Sequence, residues 1–291
     1  MNQRIVAYSA LFLGVLALAF SPIFVSLAHV NGLAATLYRT SIASSVLLIP
    51  FLLPRDNRLG TATTRPSLRT TITIAGLGGL LFAFNNGLFN TAVTMIPASS
   101  AVFLANTAVI WVGLFSIVIF HEKLSLNFWM GVFLALVGVF LITTGRGDRS
   151  DNFLLGSLIA LLGGFFYGLY ILFNNTARRF LNALSYMVLS NFSSALIIFI
   201  AILVVGVPYR GFSLATYGYL FGLGFVSQAI GFLAIVYAQA YLPPSRVSTI
   251  LLAQPLLVLV LASIILQEQP STLQLVGMFT LFGGIVLANR R

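Results

Sequence analysis

The sequence predicts an all-α integral membrane protein of ten transmembrane helices, set out as two inverted five-helix repeats. Three observations predict it. Of 291 residues, 59% are hydrophobic and only 7% are charged, against about a quarter charged in a soluble domain. Apolar windows of about 20 residues, the length that spans a bilayer, recur along the whole chain. The chain also resembles itself at one fixed offset. A water-soluble fold of this size has too little interior to hide so much apolar surface, so lipid is the solvent that suits the composition.

The windows fall at 5–28, 33–53, 70–95, 98–120, 127–144, 153–175, 183–206, 214–241, 245–266 and 272–289. The longest polar stretch, Pro54 to Arg69, is 16 residues, so no soluble domain fits between spans. A membrane β-barrel needs alternation of apolar and polar residues in runs of about ten. Val132 to Thr143 is apolar at both parities, which excludes that pattern. Arg4 leads into an apolar run without a small-residue cleavage site, so the first window reads as a retained helix and not as a signal peptide.

Lysine and arginine in short loops set orientation. With the N-terminus inside, eleven fall on the inner side: Arg4, Arg55, Arg58, Arg65, Arg69, Lys123, Arg178, Arg179, Arg246, Arg290 and Arg291. Three fall outside: Arg146, Arg149 and Arg210. Both termini are therefore expected in the cytoplasm. The net charge of +10 is spread between apolar runs and forms no dense basic stripe, so nucleic acid is not expected as a partner.

Residues 76–145 align without a gap on 222–291, an offset of 146. Gly76-Leu77-Gly78 meets Gly222-Leu223-Gly224, Pro97 meets Pro243, Ser99 meets Ser245, Glu122 meets Glu268, Ser125 meets Ser271, and Gly131 and Gly138 meet Gly277 and Gly284. About 15 of 70 positions are identical. The repeats are read as 5–144 and 153–289. Five spans are an odd number, so the second copy enters the membrane upside down. Inverted repeats of this kind are the architecture of secondary transporters.

Polar groups within spans are costly, so they mark candidate sites. The five acids, Asp56, Glu122, Asp148, Asp151 and Glu268, all fall in loops or at helix ends. That argues against a proton relay through a buried carboxylate and against a site dedicated to organic cations. In the third span Asn86 and Asn90 share a helix face with Asn85 beside them, read either as a cavity wall or as interhelical glue. Ser21 in the first span and Tyr167 in the sixth occupy matched depths, since 21 plus 146 is 167. Pro22 frees the carbonyl of Leu18, and Pro255 sits in the ninth span; both are candidate hinges. Asn106, Trp111, Tyr170, Gln228 and Tyr237 complete the candidate substrate cavity. Trp111 lies too deep for the interfacial belt that suits Trp129; its alternative is bulk facing lipid. Arg39, two turns from the end of its span, is expected to snorkel outward, with contact to a substrate carboxylate as the alternative. His29 and His121 fall at turns. Gly164 with Gly168 and Gly218 with Gly222 have the small-xxx-small spacing of close helix contacts.

Pro97-Ala98-Ser99-Ser100-Ala101, Trp111, His121-Glu122-Lys123-Leu124-Ser125 and Gly131…Gly138 together resemble the first EamA repeat of the drug/metabolite transporter superfamily. Pro243-Pro244-Ser245-Arg246, Gln267-Glu268-Gln269-Pro270-Ser271 and Gly277…Gly284 resemble the second. Phe20-Ser21-Pro22 departs from the Trp-Gly-Ser/Asn that the family's first helix often shows. The resemblance covers essentially the whole chain. It implies a 5+5 exporter of small metabolites in the bacterial inner membrane, with a central cavity. Within the family the chain is most similar to amino-acid exporters; drugs and nucleoside-like metabolites are the alternative cargo. No catalytic residue, metal or cofactor is expected. With no cysteine, with both histidines at turns and with no buried acid, an intramembrane enzyme lacks a nucleophile and a base. A channel or a structural scaffold is the remaining class, which an inverted repeat disfavours.

Overall fold

The computed structural model describes residues 3–52, 66–96, 98–144, 153–265 and 271–289. The described chain is helical throughout. The helices are α1 (Gln3–Ala28), α2 (Gly32–Leu52), α3 (Leu68–Met95), α4a (Ala98–Ala105) and α4b (Ala108–Phe120), α5 (Leu126–Thr144), α6 (Phe153–Ala177), α7 (Ala183–Val205), α8 (Leu214–Ala238), α9a (Pro244–Leu251) and α9b (Gln254–Ile265), and α10 (Thr272–Asn289). Among the described residues, seven helices are long and apolar enough to cross a membrane: α1, α2, α3, α6, α7, α8 and α10. The protein is thus an all-α, multi-pass membrane protein. Asp56, Asp148, Asp151, Glu268 and Pro97 lie outside the described residues.

Sequence dictates several of the helix ends. Ser67, Asn182 and Ser213 cap α3, α7 and α8, each accepting from the backbone N–H three residues on; a short polar side chain there satisfies a donor that the helix leaves open. Gly206 ends α7 at φ 75°, a left-handed conformation that suits glycine. His29 and His121 hold the same conformation at φ 49° and 51°, closing α1 and α4b.

The surface is the reverse of a soluble protein's. Phe12, Val118, Phe133, Val204 and Phe279 stand exposed, whereas Arg39, Asn85, Asn86, Asn90, Asn174, Asn191 and Gln228 are buried. Lipid solvates the first group and penalises the second. The polar residues therefore turn inward and pair with one another.

Helices α4 and α9 were expected as unbroken spans. Each is broken, at 106–107 and at 252–253. These are matched positions of the 146-residue offset. At α9 the cause is Pro255, whose ring cannot continue the bond to Leu251 and which sits in the first turn of α9b, where proline is tolerated. At α4 the turn is tightened by i→i−3 bonds, Thr107 N–H to Leu104 O and Val109 N–H to Asn106 O.

The most intimate contact joins α5 to α10. A Cβ on Gly138 would come within 2.3 Å of Leu281 N and 2.7 Å of Gly277 O. A Cβ on Gly284 would come within 2.3 Å of Ala135 N and 2.7 Å of Gly131 O. Adding 146 turns the first pair of contacts into the second, so the contact is reciprocal about a two-fold axis. Because 131 approaches 288 while 138 approaches 281, the two helices run antiparallel. That geometry is consistent with an inverted-repeat fold. The partners of these glycines are backbone atoms, which cannot swing away. Gly138→Val is therefore expected to lower the thermal unfolding midpoint in detergent by roughly 5 °C or more. Gly76→Ala, which meets nothing within 4 Å, should not lower it, since alanine suits a helix interior better than glycine.

Candidate functional site

One element draws the site together. Residues Leu223–Phe232 of α8 form a π-helix, a wide turn that is often found at functional sites. Glycines bring this turn against its neighbours. A Cβ on Gly224 would meet Ile42 at 2.6 Å and Arg39 O at 3.2 Å, and one on Gly231 would meet Ala17 at 3.2 Å. The widened turn thus seats Gln228 and Phe232 against α2.

Arg39 corrects the sequence expectation. It does not snorkel; it is 2% exposed. Its Nε–H donates to Gln228 Oε1 at 2.8 Å, and one terminal N–H donates to Ser21 Oγ at 3.0 Å. The guanidinium lies 5.2 Å over the Phe232 ring, a distance at which the ring quadrupole attracts a cation. Gln228 passes the chain on, its Nε2–H donating to Asn191 Oδ1 at 2.9 Å, and Asn191 donates to Met187 O at 2.8 Å. One polar relay therefore ties α1, α2, α8 and α7. Glu122, the one acid among the described residues, lies at the α4–α5 turn and accepts from Ser245 Oγ. No carboxylate among the described residues meets Arg39.

Beside the guanidinium is a cavity of about 50 Å³, room for a few waters by the measure of 10–15 Å³ each. Its wall comes from both halves of the chain. The first half supplies Leu18, Ser21, Arg39, Asn85, Asn86, Phe89, Val102, Ala105 and Asn106, and the second supplies Tyr167, Phe232 and Gln254. Seven residues separate Ser21 from the end of α1 and Arg39 from the start of α2, about 10 Å at 1.5 Å per residue. The cavity thus lies deep within the bundle, at the level of both helix breaks. Asn86 Nδ2–H donates to Asn85 Oδ1 at 3.0 Å, and Asn85 Nδ2–H donates to Gly163 O at 3.1 Å. Gln254 Nε2–H reaches Leu18 O at 3.4 Å, the carbonyl that Pro22 leaves free. The Tyr167 hydroxyl is buried with no hydrogen-bond partner.

Of the candidate residues, Ser21, Asn86, Asn106 and Tyr167 line this cavity. Gln228 stands directly behind it, on Arg39. Tyr170 is packed one layer out, against Phe82 at 5.0 Å and Phe232 at 6.3 Å. Asn90 belongs to a different junction, donating to Thr36 Oγ1 at 2.8 Å and so joining α3 to α2. Tyr237 lies off the cavity, against Tyr241 at 5.2 Å. Trp111 is also off the wall. It is 36% exposed, edge-on to Phe165 at 5.2 Å and against Gly168, so it covers the outer face of α6. Pro22 is buried in an α1 that runs through it unbroken, and Pro255 opens α9b.

Sequence reading missed the inward turn of Arg39, the π-helix, and the roles of Asn191, Phe232 and Gln254. One signal was present. Asn191 and Gln228 are polar residues in the middle of apolar spans, and a buried cation needs such partners.

A polar cavity deep in a multi-pass helical bundle, flanked by broken helices, is an arrangement that small-molecule carriers use. The profile of the EamA-like transporter family matches residues 5–144 and again 154–290. The chain belongs to that family, within the drug/metabolite transporter superfamily, and is a membrane transporter, not an enzyme. No curated protein matches it. A solved crystal structure of a protein superposes with a TM-score of 0.80, covering 97% of this chain and 96% of its own, at 17% identity; at that identity the likeness speaks to the fold alone.

The relay behind the cavity is testable by itself. Gln228→Leu leaves the Arg39 Nε–H and Asn191 Oδ1 without partners in a water-poor interior. The expected cost is about 1–3 kcal/mol, seen as a lower unfolding midpoint in detergent. Trp111→Ala should not reproduce a loss of cavity function, because its side chain lies outside the wall.

Proposed function

We propose that the protein is a secondary transporter that exports amino acids and related small metabolites through this cavity by alternating access. The observation that carries the reading is a polar cavity walled by both halves and placed at the matched breaks of α4 and α9. The two halves, 5–144 and 153–289, act as inverted repeats that exchange conformations. Pro22 and Pro255 are the hinges. Pro22 leaves Leu18 O to be held by Gln254 across the two halves, so bending of α1 and the α9 break are coupled. Asn, Tyr and Gln side chains offer hydrogen bonds to a polar head, and Phe89 and Phe232 offer apolar surface to a side chain. The length and aromatic-rich helices resemble those of the bacterial amino-acid exporter YddG, a likeness that supports a location in the bacterial inner membrane. The positive-inside count puts both termini in the cytoplasm.

Export is facilitative. All five acids lie in loops or at helix ends by sequence, so no carboxylate is in place to carry a proton through the site. The second reading, export of drugs or nucleoside-like metabolites, fits the same cavity and differs only in cargo.

Sealed liposomes holding the purified chain test both readings with a panel of labelled amino acids and nucleosides. Saturable amino-acid flux, unchanged by an imposed pH gradient, is the expected result. Nucleoside flux without amino-acid flux would replace the cargo. Flux that follows the gradient would replace the mechanism. At equal protein levels, Asn86→Ala should lower flux about tenfold, the effect of losing one or two buried hydrogen bonds. Trp111→Ala should stay within about twofold, as surface substitutions do.

A further inference from the structure

We infer that the cavity is built to hold a carboxylate: the transported molecule presents an anionic group to Arg39 and Tyr167, and it needs no ammonium group. This rests on the transport reading of the same cavity and narrows its cargo.

Three observations lead there. A guanidinium has five N–H donors, and Arg39 uses two of them on Gln228 and Ser21. The other three have no acceptor among the described residues, and the side chain lines the cavity. Second, the Tyr167 hydroxyl on the opposite half is buried, unpartnered and part of the same wall. Third, the rest of the polar wall is neutral: Ser21, Asn85, Asn86, Asn106 and Gln254. The cavity therefore carries one net positive charge.

Chemistry then selects the ligand. A planar fork of N–H donors matches a carboxylate, and a phenolic O–H adds a donor to the same oxygen pair. An ammonium group finds only neutral oxygens here and is repelled by Arg39. A bare amine is excluded, an amino acid enters by its carboxylate, and a monocarboxylate lacking the amine fits the charge best. A guanidinium kept only as a structural prop would be satisfied on all sides, and it would not face an unpaired hydroxyl across a cavity.

The test uses the purified full-length chain and three molecules with one side chain: leucine, its 2-oxo acid, and the amine left when the carboxylate is removed. Binding is read as a ligand-induced rise in the unfolding midpoint and as competition for flux in proteoliposomes. Leucine and the 2-oxo acid should bind and compete; the amine should do neither. Arg39→Gln should weaken carboxylate binding at least ~30-fold. Gln228→Glu sets a resident carboxylate on Arg39 and should do the same while keeping the cation paired, so it answers the question if Arg39→Gln does not fold. Tyr167→Phe should weaken binding about fivefold yet raise the midpoint of the ligand-free protein, because it removes an unpaired buried hydroxyl.

Binding of the amine as tight as the acid would overturn the inference. So would carboxylate affinity unchanged in both Arg39→Gln and Gln228→Glu, or no carboxylate binding by the wild-type chain. Chloride or phosphate bound through Arg39 in place of the carboxylates would assign the site to an inorganic ion and overturn it as well. The two readings fail separately. Carboxylates bound through Arg39 without amino-acid flux would remove the amino-acid reading alone. Amino-acid flux indifferent to Arg39→Gln would remove the carboxylate site alone.

Discussion

A guanidinium taken out of water must have its charge met, and the interior of this bundle meets it with neutral groups. Placing a charge at the centre of a span costs about 2.5–3.5 kcal/mol on insertion scales. Two hydrogen bonds from Arg39 and the face of Phe232 offset part of that cost. These partners come from α1 and α8, and Asn191 on α7 supports one of them. The packing of four helices is thereby tied to a single side chain. The glycines of α8 have their reason here: Gly224 and Gly231 bring the helix against α2 and α1, so that Gln228 and Phe232, four residues apart on one face, meet the same cation.

The two halves share a frame but not a chemistry. Breaks at 106–107 and 252–253 are matched, and so are the glycine contacts between α5 and α10. Ser21 on α1 and Tyr167 on α6 both line the cavity, although they lie seven and ten residues from their helix ends and so not at the matched depth that the offset of 146 predicts. Beyond these the halves diverge. Gln228 stands where the first half has Phe82 and Phe232 where it has Asn86, and seven residues into α7, where Arg39 stands in α2, is Ser190. In the proposed cycle backbone symmetry lets the halves exchange shapes, while the cation of the cavity wall comes from the first half alone.

Much of this was legible in the sequence. Apolar windows placed the seven described helices that can cross a membrane to within a few residues, because lipid enforces a length and a composition that no local preference overrides. The offset of 146 marked the glycines at which α5 and α10 meet. What escaped was direction. Hydropathy reports how deep a residue lies, not which way it faces, so Arg39 read as a snorkelling residue and Trp111 as a cavity wall. In the fold the arginine has partners two turns inside the bundle, and the tryptophan finds Phe165 on the outer face of α6. Helix breaks escaped for a related reason. Proline marks the one at α9, whereas at α4 the turn falls at Asn106–Thr107, where nothing in the composition of an apolar run announces it.

The α5–α10 contact bears on how such a chain can move. In the proposed cycle the halves exchange conformations, so each contact is carried onto its image under the pseudo-two-fold axis. A contact that is its own image is unchanged by the exchange. The pairs Gly138 with Leu281 and Gly284 with Ala135 are images of each other, so α5 and α10 can stay locked throughout. Their backbones are too close to slide past one another in any case. Movement then falls to the helices whose contacts are not self-paired: α1 against α9, where Gln254 holds the carbonyl freed by Pro22, and α6 against α4, where Gly164 lies against the carbonyls of Leu104 and Ala105. Both junctions border the cavity, and both lie at a break. A rigid pair on the axis and two bendable pairs beside the site form a division that lets the cavity change its opening without dismantling the bundle.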